Sequence, residues 1–179
     1  MELAQNLVEG GGQLTKDEFI LFAAKCKARS LNPFTKECYP IKFAGANAKV
    51  AIIENWSNFV RVADSHPQYD GLEDGLVVET ATGELLDVEG QIIPKGCKLI
   101  GAWAKVYRKD RRFPFVSRID FNEFSKGQSS WKTMPAYMIS KCAKSIAYRL
   151  AFPDQLAGSY IAEEMQPRVI EDAEATPII

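Results

Sequence analysis

The sequence predicts an α+β protein, with antiparallel β-hairpins forming a twisted sheet packed against helices. Three observations predict it. Apolar residues recur at helical spacing over 16–30, 54–65 and 134–151. Two pairs of extended runs flank short turns between residues 76 and 120. The order is helix, strand, helix, a run of strands, then helix, without the regular alternation of a parallel sheet.

Residues 1–12 are expected to be a flexible or peripheral segment, broken at Gly10-Gly11-Gly12. Thr15 can cap the helix that follows, and Glu18 three residues on completes a capping box. Leu14 and Phe19 fit a hydrophobic staple around that cap. Phe19, Phe22, Ala23 and Cys26 then share one face, with Ile20 beside it. Pro33 disfavours helix at Asn32, so the helix stops near Leu31. "KECYPIKF" reads as a short extended segment, and its Pro40 suggests an edge. "KVAII" reads as a buried strand leading into the second helix. There Trp56, Phe59, Val60 and Ala63 form the apolar stripe, and His66-Pro67 ends it.

"QYDG" reads as a turn. "LVVET" and "ELLDV" flank Ala81-Thr82-Gly83 as a first hairpin. "CKLIGAWAKVYR" and "RFPFVSRID" flank Lys109-Asp110-Arg111 as a second. A loop rich in Ser, Gly and Gln at 125–130 leads to the third helix. Residues 13–164 are taken as the core domain, and 165–179 as an acidic tail without periodicity, expected to be disordered or a partner-binding stub.

A chain of 179 residues, 46% hydrophobic and 25% charged, fits one soluble globular domain with a tail. No run of about eighteen apolar residues exists to span a membrane, and the first residues lack the basic and apolar regions of a secretory signal. Cys26, Cys38, Cys97 and Cys142 are scattered and His66 is the single histidine, which argues against zinc and a disulfide framework and for a reducing, cytoplasmic setting.

The net charge of −1 hides an asymmetry. Residues 1–100 sum to −4, 101–150 to +8 and 151–179 to −5. A basic block between acidic ones suggests a local polyanion site. On the third helix, Ile139, Cys142, Ala143, Ile146, Ala147 and Leu150 gather as the expected core face. Tyr137, Lys141, Lys144 and Tyr148 fall within about 60° of one another on the opposite side. Cations for phosphates interleaved with rings for bases suit single-stranded nucleic acid. The plainer alternative is a solvated lysine face whose tyrosines pack on a neighbour. Arg149 sits at the border, placed either to meet a phosphate or to pair with a buried carboxylate.

Along 102–108, Trp103, Lys105 and Tyr107 share one strand face, and Ala102, Ala104, Val106 and Arg108 the other. The first set either lines a nucleic-acid groove or buries its rings while Lys105 snorkels. Enzymatic readings find little. There is no phosphate-binding G-x-x-x-x-G-K-[ST] motif and no G-x-S-x-G elbow. His66 has no evident nucleophile beside it, and Asp70, Glu73 and Asp74 read as loop acids.

The motifs "LNPFTKECYPIKF", "HPQYDG", "GAWAKVYRKDRRFP" and "WKTMPAYMISKCAKSIAYRLAFP", in that order, resemble the RecT/Bet family of phage recombination proteins over residues 14–160. The resemblance implies a single-strand annealing protein whose core is a twisted antiparallel sheet packed on helices, with DNA in a groove. It implies a non-enzymatic role that needs neither ATP nor any other cofactor, with Mg²⁺ at most modulating annealing. The partners implied are single-stranded and annealed duplex DNA, further copies of the chain in a ring or helical filament, an exonuclease and a host single-strand-binding protein, with no membrane. The setting implied is the cytoplasm of a bacterial host, the gene being carried by a phage or prophage.

Carried over by motif, Lys36, Arg108, Lys109, Arg111, Lys141 and Arg149 are expected to contact DNA backbone. Lys105, Lys132, Tyr137 and Lys144 complete the candidate interface. Lys132 and Lys144 are expected to compensate for a basic pair that some relatives carry near Ala136 and Tyr137. Arg112 lies outside the matched motif and is expected to matter least among 108, 109, 111 and 112. A module that protects single strands without annealing is the main alternative; a Mg²⁺-dependent nuclease and a protein scaffold are two more.

Overall fold

A computed structural model describes residues 2–42, 50–127 and 129–165; the expected acidic tail, 165–179, lies outside them except for Met165. The chain forms an α+β fold with two antiparallel sheets. A short helix α1 (Glu2–Leu7) precedes α2 (Lys16–Ala28). The expected capping box is present: Thr15 accepts from the Glu18 amide and Glu18 accepts from the Thr15 amide. β1 (Cys38–Lys42) pairs with β2 (Val50–Glu54) to make the smaller sheet. Leu14, Phe19, Phe22, Cys26, Leu31 and Cys38 are buried together with Val8, so the residue that follows α1 joins this cluster. Ala23 does not; it is exposed.

α3 (Trp56–Ser65) is capped by Asn55, whose side chain accepts from the Ser57 amide. The larger sheet then follows in the order β4-β3-β5-β6, with β3 (Tyr69–Glu79), β4 (Leu85–Glu89), β5 (Lys98–Arg108) and β6 (Phe115–Asp120). Both expected hairpins are formed, β3 with β4 and β5 with β6. "QYDG" is not a turn. β3 begins at Tyr69, and Gly71, at φ 116°, lies at an irregularity in the pairing with β5. A proline followed closely by a glycine looked like punctuation, but the glycine serves a β-bulge.

Two four-residue helices, α4 (Phe121–Phe124) and α5 (Ser130–Thr133), lead to α6 (Pro135–Ala151), and α7 (Pro153–Leu156) follows. α6 lies on the sheet face that carries Leu72, Leu76, Ala102, Ala104 and Val106. The alanines of β5 share one core with Ala143 and Ala147, and side chains this small let helix and sheet approach closely. On its other side α6 packs against α3. The central helix is therefore covered on two sides.

That double covering corrects the wheel drawn from sequence. Tyr148, placed on an exposed face, is 2% exposed. Its hydroxyl lies 3.1 Å from that of Tyr69, and its ring lies 5.6 Å from Trp56. Burial, together with the Tyr69 hydroxyl, pushes its phenol far above the usual range. Leu150, assigned to the core, is 50% exposed.

Candidate nucleic-acid interface

The candidate cations other than Lys105 separate into four groups. The first is the turn between β5 and β6. The Lys109 amide donates to the Gln68 carbonyl at 2.8 Å and the Arg111 amide to the Arg108 carbonyl at 3.1 Å, which shapes the turn. The Lys109 and Arg111 side chains are exposed and form no ion pair among the described residues. Arg112 is exposed too and lies over the Phe113 ring at 5.3 Å. Arg108 is different. Its guanidinium donates to the Ala151 carbonyl at 2.6 Å, to both Asp110 oxygens at 2.8 and 2.9 Å, and stacks on Phe152. It thus satisfies a carbonyl at the C-terminus of α6, where a cation also meets the negative end of the helix dipole. The Arg108 hydrogen bonds hold the Asp110 carboxyl below its ordinary value.

The second group lies along α6 and is paired throughout. Lys144 reaches Asp74 at 3.3 Å and lies over the Trp56 ring at 5.1 Å. Ser140 donates to the same Asp74 at 2.8 Å. Lys141 pairs with Glu163 and lies over the Tyr137 ring. Arg149 makes a two-point pair with Glu164 at 2.7 Å and donates to the Ser159 carbonyl at 3.1 Å. Of the two roles open to Arg149, the structure shows the buried carboxylate: the Glu164 side chain is 5% exposed.

The third group flanks the start of α6. Lys132 and Tyr137 are exposed there, and Lys132 forms no ion pair among the described residues. α6 is 17 residues long, so about 25 Å separates this end from the β5–β6 turn. The fourth group is Lys36 alone, exposed in the left-handed conformation after a 3₁₀ turn at Pro33–Thr35.

Lys105 stands apart, on the sheet face away from α6. It lies over Trp103 at 4.8 Å and 3.8 Å from Glu73, which also accepts from the Tyr107 hydroxyl. Trp103 is buried because its indole lies flat over Gly75, where a side chain would collide with the ring. Register places Glu73, Glu79, Asp87, Glu89 and Asp120 on this face with Lys98, Lys105 and Arg118, so it is net acidic. Phosphates gain little there.

Sequence reasoning missed the carboxylates opposite α6. Glu163 and Glu164 lie beyond the basic block in sequence, and only the fold returns them to α6. Lys126 was missed as well; its ammonium donates to the Ala162 carbonyl at 2.9 Å and tethers the same returning segment. Burial lowers its pKa. Among the described residues no three His, Cys, Asp or Glu side chains group as metal ligands, and no helix is long and apolar enough to cross a membrane.

The fold and these groups define an α+β protein that carries surplus positive charge on exposed turns around a buried central helix. Comparison with protein families places it further: the RecT family model matches residues 1–177, and the chain belongs to the RecT family. A search of curated proteins returned no match.

Proposed function

We propose that the protein is an ATP-independent single-strand annealing protein of phage-type recombination, one that binds single-stranded DNA and pairs it with its complement in an oligomeric ring or helical filament. One observation carries the reading. The family match runs through the Y-R-K-D-R motif, and this motif forms the exposed β5–β6 turn on which Lys109 and Arg111 form no ion pair among the described residues.

The physical task is modest. Two complementary strands repel through their phosphates. Cations on one protein surface reduce that repulsion and hold a strand with its base edges free. Pairing then supplies about 1.4 kcal/mol per base-pair step. No covalent bond changes, so neither ATP nor a resident metal is required.

The geometry ranks the candidate residues. Lys36, Lys109, Arg111 and Lys132 meet a phosphate without giving up an ion pair among the described residues. Lys141, Lys144 and Arg149 exchange a carboxylate first, and the more buried the pair, the greater that cost. Tyr137, 44% exposed beside Lys141, is available for a base or sugar. Arg108 acts mainly by shaping the turn. Lys105, on the net acidic face, contributes least.

Mixing complementary fluorescent oligonucleotides with the protein tests the reading. Pairing faster than the spontaneous rate, with or without ATP, is expected. Binding without acceleration instead supports a protective single-strand-binding module. Cleavage of labelled DNA on adding Mg²⁺ contradicts the non-enzymatic reading.

A further inference from the structure

The loop from Asn32 to Glu37 is locked from the inside. The Asn32 side chain accepts from the Phe34 amide at 3.0 Å, and the Asn32 amide donates to the Glu37 carboxylate at 2.8 Å. The Thr35 hydroxyl donates to the Asn32 carbonyl at 3.0 Å, and the Lys36 amide to the Pro33 carbonyl at 3.2 Å. Pro33 fixes the start of the turn and Lys36, at φ 61°, ends it. This network leaves the large apolar side chain outside. Phe34 is 59% exposed, belongs to neither buried cluster and makes no ring contact among the described residues. The backbone beneath this aromatic is fixed before binding, so a ligand has only the side-chain rotamer left to order.

Beside it is a cleft of about 630 Å³. Phe34 and Lys36 lie on one wall; Asn6, Leu7, Glu9 and Gln13 line the rest, with glycines 10 and 12 between them. Leu7 is 69% exposed, so two apolar surfaces, Phe34 and Leu7, stand within an otherwise mostly polar lining. Its charges are divided. Lys36 attracts a phosphate, while Glu9, also exposed on the lining, disfavours a second one. A ligand that suits both is a neutral flat ring on Phe34, attached to a single anion at Lys36.

We propose that this cleft takes one nucleobase of a bound single strand, stacked on Phe34 and packed toward Leu7, with Lys36 holding the adjoining phosphate. The proposal rests on the single-strand DNA reading above and extends it with a base-contacting residue. Stacking on a ring is tolerant of base identity, because every base offers a flat face. It therefore suits a protein that must bind any sequence. It also anchors one base while the phosphate contacts leave neighbouring bases free to pair.

The test is equilibrium binding of the full chain to a fluorescent thymidine oligonucleotide and to an abasic oligonucleotide of equal length. Phe34→Ala is expected to weaken binding to the base-bearing strand about tenfold, with an unchanged salt slope. It should leave binding to the abasic strand as in the wild type. Phe34→Trp should restore the lost affinity. Lys36→Ala should weaken both strands and lower the salt slope by about 0.7. Equal losses on the two strands for Phe34→Ala, or no loss on either while the wild type binds, overturn the stacking role. So does a changed assembly state of Phe34→Ala in sedimentation without DNA, which makes Phe34 a contact between copies. A wild type that binds neither strand defeats the DNA reading itself, and this proposal with it.

Discussion

The β5–β6 turn and helix α6 draw on the same +8 block of sequence, with the same two residue types. At the turn, Lys109 and Arg111 project into solvent without an ion pair among the described residues. On α6, Lys141, Lys144 and Arg149 each face a carboxylate, from Glu163, Asp74 and Glu164. Counting cations along the chain treats the two regions alike. The fold separates them, because the sheet and the returning segment 159–165 bring acids only to the helix. Positive charge in the sequence is thus not the same as charge available to a ligand. On the proposed reading the turn binds DNA, while the helix cations hold the fold.

That contrast makes graded predictions. The largest effect should come from the buried pair. Glu164→Ala leaves the Arg149 guanidinium uncompensated and should cost about 3–5 kcal/mol in urea unfolding. A loss below about 1 kcal/mol would place this pair with ordinary surface bridges and break the contrast. Next comes Arg108→Ala, which removes the charged hydrogen bond to the Ala151 carbonyl and should cost about 2 kcal/mol of stability. Its own contribution to DNA binding should be small, since the guanidinium is already engaged.

Replacing Lys109 and Arg111 together by Ala should do the reverse. Stability should stay within about 0.5 kcal/mol, while single-strand affinity at low salt falls tenfold or more, about 1.4 kcal/mol. The smallest effect should come from Lys105→Ala, whose exposed pair with Glu73 is worth about 0–1 kcal/mol and whose surroundings are acidic. Arg112→Ala belongs near this end of the scale, and a larger affinity loss for it than for Lys109→Ala would reverse the ranking within the turn.

Much of the fold is legible before any coordinates. The Thr15–Glu18 capping box, the second helix ending at His66-Pro67 and both hairpins depend on interactions between near neighbours in sequence. So does the alternation on β5, which correctly divides Ala102, Ala104, Val106 and Arg108 from Trp103, Lys105 and Tyr107. What sequence leaves open is which face meets the core. Alanines look too small to define one, yet they do so here because α6 requires a close approach. Tyr148 is misread for a related reason. A helical wheel assumes one buried side, and α6 has two. The candidate site is legible in composition and motif but not in pairing. Lys141 and Arg149 meet acids 22 and 15 residues away, a separation that no local pattern reports.

The salt dependence of single-strand binding tests the central claim most directly. For the Lys109→Ala, Arg111→Ala double variant, the slope of log affinity against log salt should fall by about 1.4, two phosphates at about 0.7 each, while Lys105→Ala leaves the wild-type slope unchanged. An unchanged slope in the double variant, alongside a reduced one for Lys105→Ala, would contradict the account and move the DNA to the other face of the sheet.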